Sequence, residues 1–208
     1  MRGLATMLVV LVGAGACSSS IPRHSAVFIP AEPPTAPPAT PTNSQPAGSN
    51  PVATGDTSGW VTLAPQGEGF SVLMPGKATS STLAAKTPNG DAPTTIWEYS
   101  ASTEAFGVAR AKFPAGAMSS GAPADVLGAI MTPIATNILP GASITSQSDV
   151  TLDGHPGRSM AFADSKTTVQ CEFFVVGDDV YAAFVAYPAG KMDAVVAQAF
   201  FASFQLTV

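Results

Sequence analysis

From Trp60 onward the sequence predicts an α+β fold, an antiparallel sheet flanked by helices. Three observations carry that prediction. Short β-prone runs alternate with sharp Gly, Pro and Asn turns; residues 123–139 repeat their apolar side chains at helical spacing; and four strands follow one another with no helix between them.

Taken in order, Val61–Leu63 and Phe70–Met74 are short apolar runs separated by Pro65-Gln66-Gly67-Glu68-Gly69, and Pro75-Gly76 ends the second. Thr79–Thr87 and Thr94–Ala101 flank Pro88-Asn89-Gly90-Asp91. Asn-Gly between β-prone runs is the strongest short-range hairpin signal, because both residues tolerate positive φ. Phe106–Phe113 reads as a further strand ended by Pro114. Residues 123–139 predict a first helix: Pro123 and Asp125 suit a first turn, and Val126, Leu127, Ile130, Met131, Ile134 and Ile138 form one apolar stripe. Pro133 should kink it, and Pro140-Gly141 stops it. Ser143–Leu152, Arg158–Ala163, Thr168–Val176 and Val180–Tyr187 then predict an antiparallel meander turning at Asp153-Gly154 and Gly177-Asp178-Asp179. Pro188-Ala189-Gly190 breaks the last strand, residues 191–202 read as a second helix, and Phe204–Val208 is a short extension.

Composition narrows the function classes. Of 208 residues, 46% are hydrophobic and only 11% charged, enough to bury a core in a domain spanning residues 59–208. A net charge of −5 with no Lys/Arg cluster excludes nucleic acid and anionic membrane surfaces as main partners. Residues 18–58 are a Pro/Ala/Ser/Thr-rich linker that cannot bury enough apolar surface to offset its ordering entropy. Its prolines favour extended polyproline II at about 3.1 Å per residue, a reach on the order of 100 Å at most.

The N-terminal stretch reads as an address. Arg2 supplies a minimal positive charge, Leu4–Val12 is apolar but too short to span a bilayer, and small residues lead to Cys17. Ala14-Gly15-Ala16-Cys17 resembles the lipobox of bacterial lipoproteins, matching at Ala16 and Cys17 and departing at Ala14, where that family has Leu. The resemblance implies a signal peptide over residues 1–16, palmitate-type acylation of Cys17, and a domain anchored to the membrane outside the cytoplasm. It would sit on the outer face of the cell membrane or in an outer membrane. Ala14-Gly15-Ala16 is also an A-x-A site for ordinary signal peptidase, which would release a soluble protein. The spacer behind Cys17 favours the tethered form.

A second resemblance covers roughly residues 60–208. Gly69-Phe70-Ser71-Val72-Leu73-Met74-Pro75-Gly76, Val175-Val176-Gly177-Asp178-Asp179-Val180-Tyr181 and the closing Phe201-Ala202-Ser203-Phe204 resemble bacterial extracytoplasmic PsbP-like domains. The layout of lipobox, Pro/Thr-rich tether and one such domain is similar to mycobacterial-type lipoproteins. The resemblance implies an α/β/α sandwich acting as an accessory, assembly or binding module, and it brings no catalytic motif.

Few residues invite chemistry. Gly157-Arg158-Ser159-Met160-Ala161 echoes a nucleophile elbow, but Ser159 lies in a hairpin strand with no helix following. Of the two histidines, His24 is in the linker; His155 with Asp153, Asp178 or Asp179 offers too few organised ligands for a structural metal. Cys171 alternates with Val169, Phe173 and Val175 and reads as a core residue. Trp97 and Tyr99 share one strand face, as do Tyr181 and Tyr187; they either line a pocket for a lipid, glycan or other small hydrophobic ligand or fill the core. The expectation is a non-enzymatic, membrane-anchored binding or accessory module, with no cofactor and an envelope protein or small hydrophobic ligand as partner. The alternative is a carrier or sensor of such a ligand.

Overall fold

Strand alternation and turn chemistry are realised in a computed structural model that describes residues 56–87, 90–119, 127, 139 and 141–207. Strands β3 (Thr79–Thr87), β4 (Gly90–Ser100), β5 (Ala105–Lys112), β6 (Ser143–Leu152), β7 (His155–Ala163), β8 (Thr167–Val176) and β9 (Asp179–Pro188) form a seven-stranded sheet in the order β3-β4-β5-β9-β8-β7-β6. Every neighbouring pair in it is antiparallel. β1 (Val61–Leu63), β2 (Phe70–Met74) and β10 (Gln205–Leu206) form a separate three-stranded sheet, and α1 (Ala194–Ser203) precedes β10.

Two-residue turns fix the meander. Asp153 and Gly154 both take positive φ, 51° and 82°, closing β6 onto β7 at Leu152↔His155. Gly177, at φ 61°, opens the turn that pairs Val176 with Asp179. Two strands start three or more residues earlier than the sequence predicts, and both carry a proline near that start. β4 begins at Gly90 and contains Pro93; β7 begins at His155 and contains Pro156. Each proline stands one residue before pairing on the strand's second side begins, at Thr94↔Ala111 and Gly157↔Phe174. A missing N–H is tolerated there because only one ladder has to be served.

Period-two alternation splits the core into two layers, as β9 illustrates. Val180 and Phe184 face one side with Met160, Phe162, Val169, Cys171 and Phe173; Met118, Leu127 and Leu139 are buried against them. Tyr181, Ala183, Val185 and Tyr187 face the other, packed under Phe70, Val72 and Met74 of β2 and Ala197 and Phe200 of α1. The Asp193 carboxylate caps α1, accepting the N–H groups of Val195 at 3.0 Å and Val196 at 3.2 Å. Ser203 Oγ accepts from Leu73 N at 3.0 Å and donates to Phe200 O at 2.7 Å, fastening the helix end to β2. The chain then adds β10 to β2 at Gln205↔Ser71 and Leu206↔Phe70.

Thus the antiparallel α+β expectation holds, but the domain is richer in sheet than predicted. The second face of the large sheet is covered by a small sheet together with one helix. The helix expected over residues 123–139 lies outside the described residues except for Leu127, which is helical, and Leu139; both are buried. The leader, Cys17, His24, the linker to residue 55 and Pro88-Asn89 also lie outside them.

Candidate functional site

The four aromatic candidates meet different surroundings within the second layer. Trp97 and Tyr181 both pack edge-on against Phe70, their ring centroids 5.0 and 6.3 Å from its own. Tyr187 packs edge-on against Phe106 at 5.8 Å, and Phe106 meets Phe200 of α1 at 5.4 Å. Trp97, Tyr181 and Tyr187 are therefore each in contact with a phenylalanine ring of this layer. Tyr99, half-buried, rests on Gly76, where an added Cβ would come within 2.5 Å of its ring.

At one end of β9, Tyr181 is tied into a charged cluster. Its hydroxyl donates to Glu68 O at 3.0 Å, and the Arg110 guanidinium lies 5.5 Å above its ring. Arg110 also donates to Gly67 O and the Glu68 carboxylate, both at 3.0 Å, and through Nε to Asp179 at 3.2 Å. Every charge in this cluster has a partner.

The opposite end of β9 is different. The β5–β9 ladder ends at Ala105↔Ala186, and the loop residues Thr103 and Glu104 then lie beside Tyr187 and Pro188. Together with Lys191 and Asp193 from the turn into α1, these residues line a cavity of about 450 Å3. The Tyr187 hydroxyl is buried in the protein and has no hydrogen-bond partner among the described residues. Burial raises its pKa first, and the nearby carboxylates of Glu104 and Asp193 raise it further, so the phenol keeps its proton. Neither Glu104 nor Lys191 forms a salt bridge among the described residues. Sequence patterning names only Tyr187 of this set. Thr103, Glu104, Lys191 and Asp193 come from loops whose meeting depends on strand register.

The remaining polar candidates do not assemble. Ser159 and His155 stand four positions apart on β7, about 13 Å at strand rise and beyond hydrogen-bond reach. Asp178 accepts from Gly116 N at 2.9 Å, and Asp179 is bonded to Arg110, so neither carboxylate is committed to His155. Among the described residues no three His, Cys, Asp or Glu side chains are grouped to hold a metal. Cys171 is buried, its thiol donating to Met160 O at 3.6 Å, and desolvation followed by the Glu172 charge raises its pKa, which suppresses thiolate chemistry.

Glu172 itself makes a testable contribution. It projects from β8 between Ser159 and Ala183, and burial raises its carboxyl above the ordinary 4.5. A carboxyl with a raised folded pKa binds more protons folded than unfolded, so its stabilisation is complete below 4.5 and is lost as pH rises through the folded pKa. Denaturant titrations should show Glu172→Gln matching the natural protein near pH 4 and exceeding its stability at pH 7; equal stability at both would refute this.

No family model matches this chain, and no curated protein matches it. Among solved structures, its fold is similar to the solution structure of cyanobacterial PsbP (CyanoP) from Synechocystis sp. PCC 6803. The TM-score is 0.50 at 13% identity, covering 71% of this chain and 92% of that one. A protein of unknown function from Pseudomonas aeruginosa matches at a TM-score of 0.33 and 12% identity, over 62% of this chain and 83% of that one. The first likeness supports a PsbP-like fold; the second is too distant to carry weight.

Proposed function

We propose that this chain is a membrane-anchored envelope lipoprotein whose domain serves as a non-enzymatic binding or accessory module. In this reading residues 1–16 are removed as a signal peptide, Cys17 carries the lipid, and residues 18–58 hold the domain away from the membrane. Two acyl chains on Cys17 meet the requirement for stable anchoring, which a single chain does not. A PsbP-like sandwich with a helix over residues 123–139 completes the fold, and the burial of Leu127 and Leu139 against the large sheet supports it.

The observation that carries the module over the carrier is the filled aromatic layer. A carrier of a hydrophobic ligand needs an apolar cavity between sheet and helix. Between the large sheet and α1, among the described residues, that space instead holds Phe70, Phe106 and Phe200 packed among Trp97, Tyr181 and Tyr187. Recognition is then left to surfaces and rims, with an envelope protein as the natural macromolecular partner. The anchor is tested by fractionating cells that express the natural protein or Cys17→Ser. The natural protein should sediment with membranes and the variant should move to the soluble or uncleaved fraction; equal partitioning of the two would sink the proposal.

A further inference from the structure

We infer that β3, an outer strand of the seven-stranded sheet, pairs with β3 of a second copy of this chain, antiparallel and centred on Leu83. Among the described residues nothing pairs with its outer side, and Ser80, Ser81, Thr82 and Ala84 along it are exposed. Its ladder with β4 is unbroken from Thr79↔Glu98 to Thr87↔Gly90, so the whole strand is a template without proline or bulge. The opposite edge is blunted. There the β6 register shifts between Ile144 and Ser146, and the exposed Asp149 stands midway along the strand.

Pro93 fixes which backbone groups of β3 face outward. It stands opposite Ala84 and has no N–H, so this pair is not a hydrogen-bonded pair of the β3–β4 ladder. Alternation then turns the N–H and C=O of Ser80, Thr82, Ala84 and Lys86 toward the open edge. A two-fold antiparallel pairing must centre on a residue opposite itself, because hydrogen-bonded and non-hydrogen-bonded pairs alternate. Leu83 is the midpoint of Thr79–Thr87, so centring there pairs all 9 residues. That register sets Ser80 against Lys86 and Thr82 against Ala84 of the second copy in hydrogen-bonded pairs. Leu83 meets its own copy in a non-hydrogen-bonded pair, where side chains are closest. Leu83 is half-buried against the first core layer, so its exposed part is covered and that layer continues across the interface. The strand's one charged residue, Lys86, falls opposite a serine and not opposite itself. Register and charge therefore suit a second copy of β3.

One strand pair and one leucine pair make a small contact, so the dimer is weak and reversible in solution. Anchoring both copies to one membrane would raise their effective concentration. The inference goes beyond the module reading and does not need the anchor, so it is tested in the full-length Cys17→Ser chain, whose remaining native thiol is the buried Cys171. In that background Leu83→Cys is oxidised at millimolar protein, and the disulfide-linked dimer is measured on non-reducing gels. A non-hydrogen-bonded antiparallel pair holds its Cα atoms about 4.5 Å apart, within disulfide reach. Leu83→Cys should give at least tenfold more dimer than Ile144→Cys on the β6 edge. Adding Ser80→Glu, opposite Lys86 of the second copy, should raise the yield about two- to fivefold, and adding Ser80→Lys should lower it as much. Thr82→Pro removes an outward N–H that β4 does not use, so it should abolish the dimer and leave the circular dichroism of the domain unchanged. The inference is overturned by no dimer above the Cys171 background, by equal crosslinking through Ile144→Cys, by the same response to Ser80→Glu and Ser80→Lys, or by a dimer that survives Thr82→Pro.

Discussion

Phe106→Ala is expected to lower the unfolding free energy by about 3–5 kcal/mol, the range for emptying a buried aromatic site. Phe106 is fully buried, and its ring is contacted edge-on by Trp60 at 5.7 Å, Tyr187 at 5.8 Å and Phe200 at 5.4 Å. It therefore joins the N-terminal lead-in, the large sheet and α1 at one point. Truncation leaves a cavity that β5 and β9 cannot close, because their ladder is continuous from Ala105↔Ala186 to Lys112↔Asp179. Urea unfolding followed by circular dichroism reads the change. A loss below about 1 kcal/mol would mean that the ring borders open space, and the argument that this layer is filled would fail with it.

Gly157→Ala should cost about 3 kcal/mol, at the upper end of overpacking effects. Gly157 lies in β7 opposite Phe174, and a Cβ there would stand 2.4 Å from the Phe173 carbonyl oxygen and 2.5 Å from Phe174 Cδ1. The carbonyl belongs to a paired strand, and the Phe174 ring is stacked on Phe204 at 5.9 Å, so neither can yield cheaply. Relief would require moving the end of α1 as well. The same thermal or urea titration checks it, and a change within 0.5 kcal/mol, the range of ordinary surface substitutions, would show that β7 can shift freely.

Much of this fold is legible in local sequence. Asp153-Gly154 and Gly177 announce the meander because short turns require positive φ, and β8 and β9 are legible because each is a β-prone, largely apolar run bounded by turn residues. What stays hidden depends on contacts between distant positions. Nothing near Phe204 signals that Gln205-Leu206 will pair with Ser71-Phe70 and draw β1 and β2 out of the main sheet. Pro93 and Pro156 look like breakers until it is known that each falls just outside its strand's second ladder. The candidate site follows the same rule. Tyr187 stands out as an aromatic on a strand face, whereas Glu104 and Asp193 come from loops that reach it only once β5, β9 and α1 are in place. The roles of Trp97 and Tyr181 as packing rings likewise depend on Phe70, which arrives from the other sheet.

The central claim is that the domain is held outside the cytoplasm by lipid on Cys17, and the mature N-terminus tests it most directly. The protein is extracted from membranes of cells expressing the full chain, digested with trypsin, and its N-terminal peptide weighed. The account predicts a peptide running from Cys17 to Arg23 with the added mass of a diacylglyceryl group. The same peptide without added mass, or a peptide running from Gly3 to Arg23 through an uncleaved leader, would contradict it.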